Sequence, residues 1–175
     1  MGAGVVIWVV SGLPQVAAWV SGRAAFDRRS LVWIASYAAF AIAFRIASTP
    51  GRPVARRAAA LVVQSGAALV ARALGDTGFE GALLCVVAGE APLLMGEKTG
   101  LRWLVAQVAA MATVDLVSAV HGRAKFFSAL AYAGFQLFAF GASRLAVREA
   151  QGRAELARVH AELLATRELF ADSTR

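Results

Sequence analysis

The 175 residues are 59% apolar and only 17% charged, and the formal net charge is +7. A soluble domain carries about a quarter charged residues, and so much apolar surface exceeds what a core of this size can bury. The composition therefore argues against a water-soluble domain and favours a protein whose partner is the lipid bilayer. The basic residues lie mostly between apolar stretches and near the C-terminus, as membrane topology requires, so we expect no nucleic-acid partner.

Apolar stretches follow one another along the chain, and each is ended by charged residues, Gly or Pro. They cover approximately residues 4–20, 31–48, 58–74, 81–95, 101–120 and 126–147. A spanning helix needs about 17–25 apolar residues. The second, fifth and sixth stretches meet this length, the first and third are marginal, and the fourth is short enough to be re-entrant. We therefore predict an all-α, polytopic transmembrane bundle over residues 1–147, with about six spans and five as the open alternative.

The distribution of basic residues predicts the orientation. With six spans, both chain ends lie on one side of the membrane. If that side is the cytoplasm, it carries about twice as many Lys and Arg residues as the other side, as the positive-inside rule requires, and the excess comes from the C-terminal tail. We therefore expect a multi-pass protein of the bacterial inner membrane with a cytoplasmic C-terminus. The loops are too short to fold a ligand-binding domain, so a stimulus would arise in or at the membrane.

The tail, residues 148–175, has a different composition, rich in Glu, Arg, Ala and Leu, which are strong helix formers. Steps of three and four residues connect the apolar positions of a short coiled-coil seam. The seam consists of Leu156, Val159, Leu163 and Phe170. We predict a cytoplasmic coiled-coil-like helix that continues the sixth stretch without a break and pairs two copies of the chain. A single amphipathic helix lying on the membrane or on another domain is the alternative.

The stretch ARVHAELLATRELFADSTR, residues 157–175, resembles the connector helix of bacterial sensor histidine kinases of the nitrate-sensor and desaturase-thermosensor type. The stretches GFEGALLCVVAGEAPLL and LRWLVAQVAAM resemble later spans of the same kinases. The resemblance implies that the chain is the membrane-sensing region of a two-component sensor kinase, truncated before its dimerisation and catalytic domains. It also implies that a response regulator docks on the missing domain.

The chain departs from this family in its catalytic motifs. The family's phosphoacceptor is a His followed by an acidic residue, whereas His160 is followed by Ala161, and His121 lies in a short loop. ATP and Mg are therefore expected only for the missing kinase domain, and the chain alone should be inactive. We expect no catalytic residue, cofactor or metal site here, because the two histidines and Cys85 lack the spacing of metal ligands.

Ionisable side chains inside the apolar stretches are the candidate functional residues, since a charge at the bilayer centre costs about 2.5–3.5 kcal/mol. Arg72 lies near the end of its stretch, so we expect its side chain to reach the membrane surface. Carboxylates are too short for this, and we expect two of them to face the bundle interior and bond to an amide or an Arg. The predicted polar switch comprises Glu90, Asp115, Gln64, Gln107 and Arg45. A static contact that fixes helix packing is the alternative.

Two other functions remain open. A small stand-alone transporter or permease would use Glu90, Asp115 and Arg45 to line a path at mid-membrane. Such a protein is expected to contain inverted repeats, and the sequence shows no convincing repeat. A membrane scaffold with a partner-binding coil would differ from the kinase sensor mainly in lacking the kinase.

Overall fold

The computed structural model describes residues 2–75, 77–117 and 122–173, and all regular structure in these ranges is α-helical. The helices are α1 Gly2–Val20, α2 Arg28–Ser48, α3 Val54–Leu74, α4 Gly81–Leu94, α5 Glu97–Val117 and α6 Gly122–Ser173. Each helix covers one of the apolar stretches. The prediction of an all-helical chain is therefore confirmed.

Local sequence signals explain where the helices begin and end. Asp27 caps α2: its carboxylate accepts a hydrogen bond from the Ser30 N–H at 3.1 Å, and the Ser30 hydroxyl accepts one from the Asp27 N–H at 3.3 Å. Pro53 precedes α3, and the Gly75 N–H donates to the Ala71 carbonyl where α3 ends. These hydrogen bonds satisfy backbone groups that a helix terminus leaves without partners.

Among the described residues, α1, α2, α3, α5 and α6 are long and apolar enough to cross a membrane. The remaining helix, α4, has 14 residues, or about 21 Å at 1.5 Å per residue, which is short of a hydrocarbon layer of about 30 Å. It packs against α1, α3, α5 and α6. A helix enclosed by protein need not match the bilayer, because the backbone beside it is shielded from lipid.

The bundle is apolar outside and partly polar inside. Its centre holds one large buried side chain from each of five helices, namely Phe40, Leu61, Leu84, Met111 and Phe140. The helices α1, α2, α3, α5 and α6 also expose several large apolar side chains each, whereas α4 exposes only Leu93. The exposed apolar surface is far larger than a soluble monomer tolerates. Several buried side chains are amides or ionisable groups. This arrangement suits a membrane protein, since lipid contacts the apolar faces and polar groups find partners inside.

Contacts between helix ends distinguish the two ends of the bundle. Gly4 at the start of α1 lies against Phe44 near the end of α2, and Glu97 at the start of α5 forms an ion pair with Arg144 of α6. At the opposite end, a cavity is lined by both Arg23 of the first loop and Leu74 at the end of α3. The start of α1, the loop at 49–53 and the point where α6 leaves the bundle therefore lie at the same end.

Helix α6 is the longest element, a continuous helix of 52 residues that extends about 78 Å. Its first half packs against α4 and α5, and beyond Val147 every described side chain is exposed. The prediction that the sixth stretch continues into the tail without a break is confirmed, and the predicted boundary between residues 147 and 148 falls inside the helix. The side chain of Phe170 lies outside the described residues, so the coiled-coil seam stays a prediction.

Candidate functional site

Buried polar side chains occupy the bundle at three depths, which we call the Arg72 level, the Gln107 level and the Glu90 level. The Arg72 level lies beside the loop at 77–80, where α3 and α5 end and α6 begins. The Glu90 level lies at the opposite end, where α2 and α4 end. Between them, Gln107 belongs to the middle of α5.

At the Arg72 level, Arg72 and Asp115 form a buried ion pair. Arg72 is 4% exposed and Asp115 is 7% exposed. The guanidinium donates from Nε to Asp115 Oδ1 and from Nη2 to Asp115 Oδ2, each at 2.9 Å. This two-bond geometry matches the planar guanidinium to the carboxylate and is the strong form of such a pair.

The remaining donors of Arg72 bind two further elements. Nη2 donates to Ser128 Oγ of α6 at 3.1 Å, and Nη1 donates to the carbonyl of Gly78. The ring of Tyr132, also on α6, lies 5.3 Å from the guanidinium carbon, within cation–π range. Arg72 therefore joins α3, α5, α6 and the loop before α4. The expectation that this side chain reaches the membrane surface is wrong, because these partners satisfy the buried charge.

At the Gln107 level, amide side chains connect the four helices α3, α4, α5 and α6. Gln107 Nε2 donates to the Leu84 carbonyl at 2.8 Å and to Gln136 Oε1 at 2.7 Å. The Ser65 hydroxyl, which donates to the Leu61 carbonyl at 3.0 Å, also lies 3.4 Å from Gln107 Oε1. Gln136 of α6 is fully buried and donates weakly to the Met111 sulfur at 3.6 Å. Buried amides without partners are costly, so this set favours one arrangement of the helices.

At the Glu90 level, the buried polar groups are incompletely satisfied. The Ser48 hydroxyl donates to Glu90 Oε1 at 2.6 Å, but Glu90 Oε2 has no hydrogen-bond partner among the described residues. The Gln64 side chain approaches Glu90 without forming a bond of normal geometry, and both of its amide atoms lack described partners. Arg57 lies near this carboxylate, and its Nε donates to the Ala47 carbonyl at 2.7 Å.

The structure distributes the predicted switch residues over all three levels rather than in one cluster. Glu90 and Gln64 are neighbours, Gln107 lies at the middle level, and Asp115 lies at the far end with an Arg partner. Arg45 is on an exposed face of α2, where its carbonyl accepts a hydrogen bond from Thr49. The sequence did not identify Arg72 as the partner of Asp115, nor Ser128 and Tyr132 as the residues of α6 that contact Arg72.

Glu80, in the loop before α4, is a fully buried carboxyl group beside the Arg72 level. Its Oε1 accepts a hydrogen bond from the Thr77 hydroxyl at 3.0 Å, and Oε2 has no partner among the described residues. Burial raises the pKa of Glu80 above its ordinary value of 4.5, although the Thr77 hydroxyl and the Arg72 charge act in the opposite direction. The folded chain therefore favours the protonated form more than the unfolded chain does.

This raised pKa predicts that the bundle is more stable in mild acid than at neutral pH. Between the unfolded pKa, near 4.5, and the higher folded pKa, the folded state binds more protons, so stability falls as pH rises through that window. Glu80→Gln should raise the unfolding temperature at neutral pH and flatten its pH dependence. The measurement is thermal unfolding in detergent from about pH 4 to about pH 8. Glu97→Gln, which alters an exposed carboxylate, is the control, and parallel profiles for Glu80→Gln and the unaltered chain would contradict the prediction.

Comparisons with models of protein families, with curated proteins and with solved structures find no match for this chain.

Proposed function

We propose that this chain is the membrane-embedded input region of a bacterial two-component sensor histidine kinase. In this proposal, the bundle responds to a stimulus in the bilayer or at its surface, and α6 conveys the response to a dimerisation and kinase region outside the given residues. The observation that supports it most is the continuity of α6, which runs from the bundle interior into an exposed tail as one helix. A continuous helix transmits rotation, tilt or a shift along its axis.

Contacts at every depth connect α6 to the rest of the bundle. Ser128 bonds to Arg72 at one end, and Gln136 bonds to Gln107 in the middle. At the other end, Glu97 at the start of α5 pairs with Arg144 and, at 3.1 Å, with Arg148. A rearrangement of α3 or α5 would therefore move α6 through side chains that are fixed on both helices.

The exposed tail of α6 supports pairing of two copies. Leu156, Val159 and Leu163 are all exposed on the chain described here, and the spacing between them fits a coiled-coil seam. We propose that this seam forms a homodimer in the cytoplasm, with the chain in the bacterial inner membrane. The response regulator, ATP and Mg would bind the kinase region, as in the family that the tail resembles.

Register insertions in α6 test this proposal. Residues 1–173 are fused to the dimerisation and catalytic domains of a sensor histidine kinase, and one to seven Ala residues are inserted after Ala150. Each inserted residue rotates the following helix by about 100°. We expect the insertion of two residues to lock the kinase in one output state. The insertion of seven residues, which is close to two full turns, should restore regulation. The measurement is autophosphorylation in membrane vesicles.

The same insertions after Gly51, in the loop between α2 and α3, are the control because they leave the register of α6 unchanged. Output that varies with the number of residues inserted in α6, but not in the loop, supports transmission by the helix. Output that ignores the register of α6 would contradict the proposal and favour a stand-alone transporter or a scaffold.

A further inference from the structure

A cavity of about 370 Å³ lies at the Glu90 level. Its walls come from five helices, represented by Gly4 of α1, Phe44 of α2, Arg57 of α3, Val86 of α4 and Ser143 of α6. It adjoins the first turns of α1 and α3 and the last turns of α2 and α4. The cavity is therefore at the end of the bundle, at the depth where lipid headgroups meet water. Its volume falls within the range of small-molecule sites, about 300–1,000 Å³.

The cavity is lined by one acidic and one basic side chain. Glu90 and Arg57 both line it, and in the part of the chain that the structure describes they form no ion pair within 4.0 Å. Glu90 is only 9% exposed, and its Oε2 has no described hydrogen-bond partner. A buried acceptor without a hydrogen-bond partner destabilises the fold, and more so when it is charged. A bound group that donates hydrogen bonds to Glu90 would remove this cost.

Gln64 lies behind Glu90 and shows the same deficit. Both of its amide atoms are buried without a partner among the described residues. Groups of this kind in a folded protein call for an explanation such as a bound ligand, water or ion. Gln64 is a neighbour of Glu90 but does not line the cavity, so a ligand in the cavity would bind the Glu90 carboxylate and not the Gln64 amide.

We infer that this cavity binds the headgroup of an aminophospholipid, with its primary ammonium on Glu90 and its phosphate on Arg57. A primary ammonium has three N–H donors for a carboxylate, whereas the quaternary ammonium of choline has none. The guanidinium of Arg57 suits a phosphate in charge and geometry. Apolar residues of the same cavity, Ile7, Leu93 and Leu94, provide surface for the first carbons of the acyl chains. The inference depends on the cavity alone and holds whether or not α6 transmits a signal.

Native mass spectrometry of the purified full chain tests the inference. The protein in detergent is titrated with phosphatidylethanolamine, phosphatidylcholine or phosphatidylglycerol. We expect retention of phosphatidylethanolamine at least about tenfold tighter than of the other two, since a hydrogen bond to a charged group contributes about 1.5–3 kcal/mol. Arg57→Gln should weaken the retention of all three lipids, because each carries a phosphate, whereas Glu90→Gln should remove the preference for phosphatidylethanolamine. Glu97→Gln, which removes a carboxylate at the same end of the bundle but outside the cavity, should keep it.

Each outcome decides the inference, and the lipid comparison on the unaltered chain needs no variant to fold. Equal retention of phosphatidylethanolamine and phosphatidylcholine would overturn it, as would an undiminished preference in folded Glu90→Gln. Soluble phosphoethanolamine separates the headgroup from the lipid. Competition by phosphoethanolamine at high concentration supports recognition of the headgroup, whereas tight binding of phosphoethanolamine without retention of the lipid would overturn the assignment to a phospholipid.

Discussion

Asp115→Asn should lower the free energy of unfolding by about 3–5 kcal/mol, the typical cost of removing one partner from a buried ion pair. The substitution preserves the shape of the side chain but leaves the Arg72 guanidinium charged and without its carboxylate in a buried site. Ser128, Gly78 and Tyr132 would still contact the guanidinium, but none of them carries the compensating charge. The measurement is unfolding of the purified protein in mixed micelles with increasing amounts of dodecyl sulfate.

A double-mutant cycle separates the pair from its surroundings. Arg72→Met alone should also destabilise the bundle, because it leaves the Asp115 carboxylate unpaired. The double variant Arg72→Met with Asp115→Asn should be more stable than either single variant, since it removes both charges. Glu97→Gln is the control for an exposed ion pair and should cost at most about 1 kcal/mol. Equal losses for Asp115→Asn and Glu97→Gln would contradict the assignment of a buried, tightly coupled pair.

Loss of this pair has a consequence for α6. Arg72 is the residue through which α3 and α5 contact Ser128 near the start of α6. Without Asp115 to orient the guanidinium, the hydrogen bond to Ser128 loses its geometric support, and the start of α6 is held mainly by packing. In the fusion kinase, Asp115→Asn should therefore change the output without any change in the tail itself.

The helices could be predicted from the sequence because hydrophobic length and helix-ending signals are local properties. Asp27, Pro53 and Gly75 each mark a helix boundary within a few residues of the chain they affect. The continuity of α6 was predictable for the same reason, since no Pro interrupts the chain between the sixth stretch and the tail. The enclosure of α4 was not predictable, because a short apolar helix has the same composition whether protein or lipid surrounds it.

The pairing of buried polar residues was beyond what local patterns contain. Arg72 and Asp115 are 43 residues apart in the chain, and hydropathy does not indicate which helix faces meet. Proximity to a helix end predicted that Arg72 points outward, whereas the carboxylate, the loop carbonyl and the Tyr132 ring stabilise it inside. Glu90 was correctly expected to be buried because a carboxylate cannot reach far along a helix. Its cavity depends on five helices and has no counterpart in the linear sequence.

Ala154→Pro should disconnect the tail from the bundle without destabilising the bundle. Proline in a helix interior costs about 3 kcal/mol, because it removes a backbone hydrogen bond and clashes with the preceding turn. Residue 154 lies beyond the Glu97–Arg148 ion pair, in a part of α6 whose described side chains are all exposed. The break therefore leaves the three polar levels intact. Ala154→Gly is the matched control, since it weakens the helix by only about 1 kcal/mol and keeps the backbone N–H.

Two measurements on these variants distinguish transmission by α6 from any other route. In dodecyl sulfate unfolding, Ala154→Pro should match the unaltered bundle, and a loss of stability there would mean that the tail packs on the bundle. In the fusion kinase, Asp115→Asn should alter autophosphorylation when residue 154 is Ala or Gly and have no effect when it is Pro. If Asp115→Asn acts equally in all three backgrounds, the signal does not pass along α6. The bundle would then influence the output of the kinase by another path, and the continuous helix α6 would connect the two parts without transmitting the change.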